Sequence, residues 1–151
     1  MSGEGTVKVS MPNLGALRNR LQKMTTQRRN AVRKAIKISA YELQGDIRKS
    51  ILRDPHTGRI YGKHQASAPG ETPASDTGNL ARNIIVLSEK DGDAVYIVSR
   101  APYSAALEFG SYHNRGGSAW RVEPRPFMLP AMVRNHAKIV ERIKKAISGE
   151  A

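Results

Sequence analysis

Residues 84–98 read IIVLSEKDGDAVYIV, and their reading decides the fold. Two apolar runs, Ile84 to Leu87 and Ala94 to Val98, bracket Lys90-Asp91-Gly92-Asp93. An Asp-Gly centre between apolar runs is a strong short-range signal for an antiparallel hairpin. Ile84-Ile85-Val86-Leu87 alternates poorly, so this strand is expected to be covered on both faces.

The segments on either side carry the helical period instead. Upstream, Leu14, Leu17, Leu21 and Met24 recur at steps of three and four, and Val32, Ile36, Ala40, Leu43, Ile47 and Ile51 repeat the pattern. Between the two sets, Thr25-Thr26-Gln27-Arg28-Arg29-Asn30 has no apolar member. The spacing therefore predicts a short helix, with Pro12 in its first turn and Asn13 as cap, then a longer one over about Gln27–Leu52. Asp54-Pro55 stops it, because the residue before proline is pushed out of helical geometry. Downstream, Leu129, Met132, Val133, Ile139, Val140, Ile143 and Ile147 mark a last helix over Phe127–Ile147, with His136 as a partly buried spacer on its apolar face.

Shorter pieces join these. Asp76 is placed to cap a helix running through Asn83, and Pro102–Phe109 reads as another short helix ended by Gly110. The fold class is α+β: a long N-terminal helix and a C-terminal helix packed on a small antiparallel sheet with long loops. The organisation expected is a single domain over 1–151. Residues 1–11 form a flexible or short-strand N-terminal tail, 55–75 a long loop, and 111–121 a flexible, glycine-rich, basic loop. Arg121 to Glu123 is a candidate short strand. No internal repeat stands out.

Composition narrows the function classes. The chain has 151 residues, enough for one modest core, and its aromatic content of 5% makes that core largely aliphatic. There are no cysteines, which excludes disulfides and thiolate metal sites. Neither a signal pattern nor an apolar run of membrane-spanning length is present, so a protein that is neither secreted nor membrane-embedded is expected. Twenty-five Lys plus Arg against thirteen Asp plus Glu leave a formal charge of +12. The excess lies in the two helical ends, which points to a polyanion, an acidic partner or a solvated face. Arg28, Arg29, Arg33, Lys34 and Lys37 are the candidate contacts to DNA or to an acidic partner. With no aromatics interleaved there, any DNA contact is expected to be to the backbone without sequence reading.

Three further stretches combine glycine or proline with apolar anchors: SAPGETPASDTGNL (67–80), APYSAALEFG (101–110) and EPRPFMLPA (123–131). Asp76-Thr77-Gly78 spells the tripeptide of aspartic proteases. That chemistry needs a second carboxylate and a buried strand before the loop, and Glu71-Thr72-Pro73-Ala74-Ser75 is no such strand. Asp76 is read as a helix cap instead. Glu108 stands as a lone carboxylate expected to pair with an arginine, Arg125 or Arg82, while Tyr103 and Phe109 pack onto the sheet. His56, His64, His113 and His136 share no metal-ligand spacing, and no phosphate-binding glycine pattern occurs. No catalytic, cofactor-binding or metal residues are assigned.

In this order, SAPGETPASDTGNLARNI, YSAALEFG and RPFMLPAM ahead of a terminal amphipathic helix resemble the gene-product-ten-like tail-component (neck) family of lambdoid tailed phages and related prophages. The similarity runs from about Ala31 to Ile147. Carried over residue by residue, it maps the loop-to-helix motif to Asp76, Thr77, Gly78 and Leu80. The central turn falls on Tyr103, Glu108, Phe109 and Gly110, and the final entry on Arg125, Pro126, Phe127 and Pro130. The resemblance implies that these residues keep the fold and form interfaces. It implies a non-enzymatic virion subunit, assembled in the host cytoplasm, that joins the head connector to the tail as a homo-oligomeric ring, a hexamer. The implied partners are copies of itself, the head-closure or connector protein, and a tail terminator or tail-tube protein, with DNA passing by. No small-molecule substrate or cofactor is implied. A non-specific DNA-binding protein acting in packaging or compaction is the alternative. The loop 111–121 departs from the family pattern.

Overall fold

The computed structural model describes residues 7–9, 13–115 and 118–150. The rest of the N-terminal tail and the tip of the 111–121 segment lie outside the described residues. The architecture is α+β. The hairpin forms as the Asp-Gly signal requires: β4 (Ile84–Ser88) pairs antiparallel with β5 (Val95–Ser99), Ile84 opposite Ser99 and Ser88 opposite Val95. The Glu89 N–H closes the turn on the Ala94 carbonyl at 2.9 Å. The other edge of β5 is taken by β1 (Val7–Val9), with Val7 opposite Ser99, so the sheet order is β1-β5-β4. β4 is an edge strand, and Leu87 and Ser88 near its end are exposed. The expectation of cover on both faces therefore does not hold for its outer half.

Two helices precede the hairpin. α1 (Leu14–Gln22) starts at Asn13, which makes no side-chain cap and lies in the left-handed region at φ 71°. A break does occur, but at Lys23–Thr25, at the very start of the apolar gap, whose residues 26–30 are already helical. Arg29 holds the break together, its Nε donating to the Leu21 carbonyl at 3.0 Å and Nη2 to the Gln22 carbonyl at 2.8 Å. α2 (Thr26–Arg53) follows the predicted bounds within a residue at each end. At 1.5 Å per residue its 28 residues span about 42 Å. It ends where Asp54 turns extended ahead of Pro55. Its inward stripe is Val32, Ala35, Ser39, Ala40, Leu43, Ile47, Ser50 and Ile51.

α5 (Met128–Ser148) lies along α2, and the two close the core over the sheet. Leu43, Ile47, Ile84, Ile97, Phe127, Met128 and Ile139 belong to one buried cluster. Leu21, Val32, Ala35 and Ala146 form a smaller one beneath α1. Polar pairs align the two long helices. Glu42 accepts from Arg142 and pairs with Lys138, both at 2.8 Å, and Asp46 accepts from Arg134 at 3.0 Å and Asn135 at 2.8 Å.

The phase of α5 differs from the sequence reading. Met128, Ala131, Ile139 and Ala146 face inward, whereas Leu129, Val133 and His136 are exposed. His136 is therefore not a partly buried spacer. Positions 129, 133 and 136 repeat at the same three- and four-residue steps, so periodicity alone left two adjacent faces in competition.

The loops are more ordered than composition suggested. Within 55–75, β2 (Ile60–Tyr61) pairs with β3 (His64–Gln65), and Glu71 ties the base by accepting from the Thr57 hydroxyl and from the Thr57 and Ala68 amides. The stretch expected as a flexible loop at 111–121 is a hairpin of β6 (Ser111–Arg115) and β7 (Ser118–Val122). The two strands pair through the backbone, Ser111 opposite Val122 and Tyr112 opposite Arg121, where glycine content suggested a loop. Arg121 and Val122 of the candidate strand at 121–123 end β7, and Glu123 lies beyond it. Two short helices remain: α3 (Asn79–Arg82) and α4 (Ser104–Phe109).

Candidate functional site

The three glycine- and proline-bearing stretches, well separated along the chain, meet in one place. The 123–131 segment sits between the other two. Arg125 donates its N–H to the Leu107 carbonyl at 2.6 Å, its Nε to the Ser67 carbonyl at 3.2 Å and its Nη1 to the Glu123 carbonyl at 3.0 Å. The Gly70 N–H donates to the Pro124 carbonyl at 2.9 Å. Asn79 Nδ2 donates to the Tyr103 hydroxyl at 3.0 Å, closing the triangle. A cleft of about 310 Å³ lies between them, lined among others by Pro73, Asp76, Leu80, Tyr103, Leu107 and Arg125.

Glu108 is the keystone, and its role corrects the arginine pairing expected from sequence. Its side chain is 6% exposed and touches neither Arg125 nor Arg82. Instead Oε2 accepts from the Phe127 and Met128 N–H groups at 2.9 and 3.0 Å, and Oε1 from Leu129 at 2.9 Å. These are the orphan donors at the start of α5. A carboxylate here is neutralised by the positive end of the helix macrodipole and by three charge-assisted hydrogen bonds, so no arginine is required. Phe127 itself is fully buried beside it.

Gly110 follows α4 at φ 76°. A Cβ there would lie 2.8 Å from the Val122 carbonyl oxygen and 3.1 Å from Pro124 Cδ. The position needs glycine both for its left-handed backbone and for close approach to the 122–124 strand exit.

Other residues singled out from the sequence stand differently from expectation. Asp76 does not cap a helix. It is exposed, and α3 begins three residues later behind Gly78, itself left-handed at φ 73°. The turn is closed by hydroxyls: the Gly78 N–H donates to Ser75 Oγ at 3.0 Å and the Asn79 N–H to Thr77 Oγ1 at 3.3 Å. Nor do Tyr103 and Phe109 pack onto the sheet, being 43% and 72% exposed. Leu80 is buried, and Pro126 and Pro130 are half-buried.

The basic residues divide into two groups. Arg29 bridges the helix break, and Arg33 Nε pairs with the buried Asp93 at 2.6 Å, so both serve the fold. Arg28, Lys34 and Lys37 are exposed. Among the described residues no group of three or more His, Cys, Asp or Glu side chains could hold a metal ion. No described helix is long and apolar enough to cross a membrane.

Two further tethers escaped sequence reasoning. Glu71 and the Arg33–Asp93 pair join residues 14 and 60 positions apart, with no local signal for either. Thr57, then Ala68, hold the Glu71 carboxyl below the usual carboxylate range by donating to it. Lys138 and Arg142 do the same for Glu42.

Residues 15–110 match the family model described as "Bacteriophage HK97-gp10, putative tail-component". The match takes in the first two stretches and ends at Gly110, before the third. No curated protein and no solved structure matches the chain.

Proposed function

Because the chain belongs to the HK97-gp10-like family of bacteriophage tail components, we propose that it is a structural virion subunit of the neck. In this reading it completes the head-proximal end of the tail and joins it to the head connector by assembling into a ring, a hexamer. Its partners are then further copies of itself, the connector or head-closure protein, and the tail terminator or tube protein. It has no catalytic role. Assembly in the host cytoplasm precedes incorporation into the virion.

The observation that carries this reading is the division of labour in the three stretches. Their backbones are locked together through Glu108, Arg125 and Gly70, while Tyr103, Phe109 and Leu129 stand outside. Tyr112 and Val133 are exposed nearby in the sequence, on β6 and one helical turn after Leu129. A rigid frame displaying large apolar side chains fits a subunit that buries them against neighbours. Electron microscopy of the purified chain mixed with tail tubes or DNA-filled heads tests it. Rings seated on either particle are expected, and monomers that bind neither overturn the proposal.

A DNA-binding role keeps one specific support: Arg28, Lys34 and Lys37 are exposed and unpaired by carboxylates among the described residues, in a chain of net charge +12. It predicts non-specific duplex affinity that falls steeply with salt. Two of the five basic candidates, Arg29 and Arg33, are already committed within the fold, which leaves the ring-subunit reading ahead.

A further inference from the structure

A second recess lies on the other side of α3, between it and α2. It is an open groove of about 510 Å³ lined by Arg48, Leu52, Gly78, Ala81 and Arg82. Arg48 reaches under the sheet edge and donates Nη2 to the Ile84 carbonyl at 2.7 Å. Gln44 Nε2 donates to the same carbonyl at 2.8 Å, so that acceptor is shared. Arg48 Nε is shut off from solvent and has no acceptor. Arg82 is exposed and its guanidinium lies over Gly78, where an added Cβ would sit 3.2 Å from Nη1. Among the described residues neither arginine has a carboxylate within ion-pair distance. Arg18, Arg33, Arg134 and Arg142 each bridge to an acidic residue distant in sequence, whereas the exposed Arg28, Arg59 and Arg100 do not among the described residues.

We infer that the α2–α3 groove receives a carboxylate side chain of a protein partner, held by Arg48 and Arg82 against the apolar wall of Leu52 and Ala81. A guanidinium offers five N–H donors in a planar fork suited to a carboxylate, and Arg48 uses few of them internally. Two such forks without a counter-ion, both lining one recess, leave a positive charge that an acidic residue would partly neutralise. The wall decides between ligand classes. Leu52 is 53% exposed at the groove and offers apolar contact that the charged phosphates of a nucleic-acid backbone gain nothing from. An acidic residue flanked by apolar neighbours satisfies both halves. Duplex phosphates are better met by projecting cations such as Lys34 and Lys37 than by a half-buried arginine. The inference stands whether or not the subunit forms a ring.

The full-length chain, with its arginine Nε–H resonances assigned, gives the test. The probe is the acetylated and amidated tripeptide Leu-Glu-Leu, compared with Leu-Gln-Leu, inorganic phosphate and a short DNA duplex. Leu-Glu-Leu is expected to shift the Arg48 and Arg82 Nε–H signals, and Leu-Gln-Leu to leave them in place. Arg82→Gln alters an exposed side chain, so the amide spectrum should persist while peptide affinity falls about tenfold. Arg48→Gln combined with it should abolish the remaining peptide binding, read on the backbone amides of Leu52 and Ala81. Equal shifts from Leu-Gln-Leu, stronger ones from phosphate or duplex, or none from any probe each overturn the inference.

Discussion

The carboxylate of Glu108 lies 2.9 Å from the backbone nitrogen of Phe127, the residue that opens the last helix. With the Met128 and Leu129 amides also held, α5 is anchored on a side chain from α4 rather than by a cap of its own. Glu108→Ala leaves three backbone donors without an acceptor. Each charge-assisted bond is modest in isolation, but unsatisfied buried donors are costly, so a loss on the order of 3 kcal/mol or more is expected. Glu108→Gln keeps one carbonyl oxygen and should lose less. Urea unfolding followed by circular dichroism measures both. An Ala variant within about 0.5 kcal/mol of the parent refutes the anchoring role.

Gly110 makes a second, independent lock testable. Gly110→Ala must accept φ 76° and place a Cβ 2.8 Å from the Val122 carbonyl oxygen. Gly149 is the internal control, at φ 87° with nothing within 4 Å of where a Cβ would stand. Gly149→Ala should therefore cost only the left-handed backbone penalty, about 1 kcal/mol. Gly110→Ala should cost clearly more, about 3 kcal/mol, because its ψ of 170° lies outside the left-handed helical basin that Gly149 occupies and because backbone must move as well. Thermal melts of the two variants side by side decide this, and equal losses contradict the close approach.

The 55–75 segment should open in acid. The Thr57 hydroxyl, then the Ala68 and Thr57 amides, hold the Glu71 pKa below its ordinary value of 4.5. A carboxylate with a lowered folded pKa contributes stability above the unfolded value and loses it as pH falls through the folded one. Protection of the loop amides should hold at about pH 6 to 7, then decline below about pH 4.5. Glu71→Gln should expose the loop to limited proteolysis already at neutral pH and flatten that pH dependence. Unchanged cleavage in the variant argues against the tether.

How much of this was legible in the chain depends on the range of the interaction. The hairpin at 84–98 follows from local chemistry, an Asp-Gly turn; the gap of six residues without an apolar member marked a helix break at its start, although five of the six are helical in α2. The three stretches announced themselves by glycine and proline, yet not by what they touch. Glu108 was expected to seek an arginine because charge pairing is the usual fate of a buried carboxylate. Its actual partners are backbone amides 19 to 21 residues away, which carry no sequence signature. Asp76 spelled a cap, but Ser75 and Thr77 close that turn with hydroxyls instead. Phe109 reads as a core residue by type alone. Only the fold shows that α4 ends with its ring facing outward.

That outward ring supplies the sharpest separation of folding from assembly. Phe109 and Val133 are among the most exposed large apolar side chains described, so replacing either with Asp removes no core packing. Stability should stay within about 0.5 kcal/mol of the parent, as for surface substitutions generally. If these residues are buried against neighbouring virion proteins, Phe109→Asp or Val133→Asp introduces a desolvated charge there and should sharply reduce assembly. Attachment to tails or heads, scored by electron microscopy at matched protein concentration, reads the effect. A core substitution of Ile47→Ala gives the opposite pattern, since Ile47 is fully buried. It should lose about 2–5 kcal/mol, with assembly falling only as folded protein falls. Asp variants that fold and attach normally remove Phe109 and Val133 from any interface, and with them the main physical support for the neck-subunit proposal.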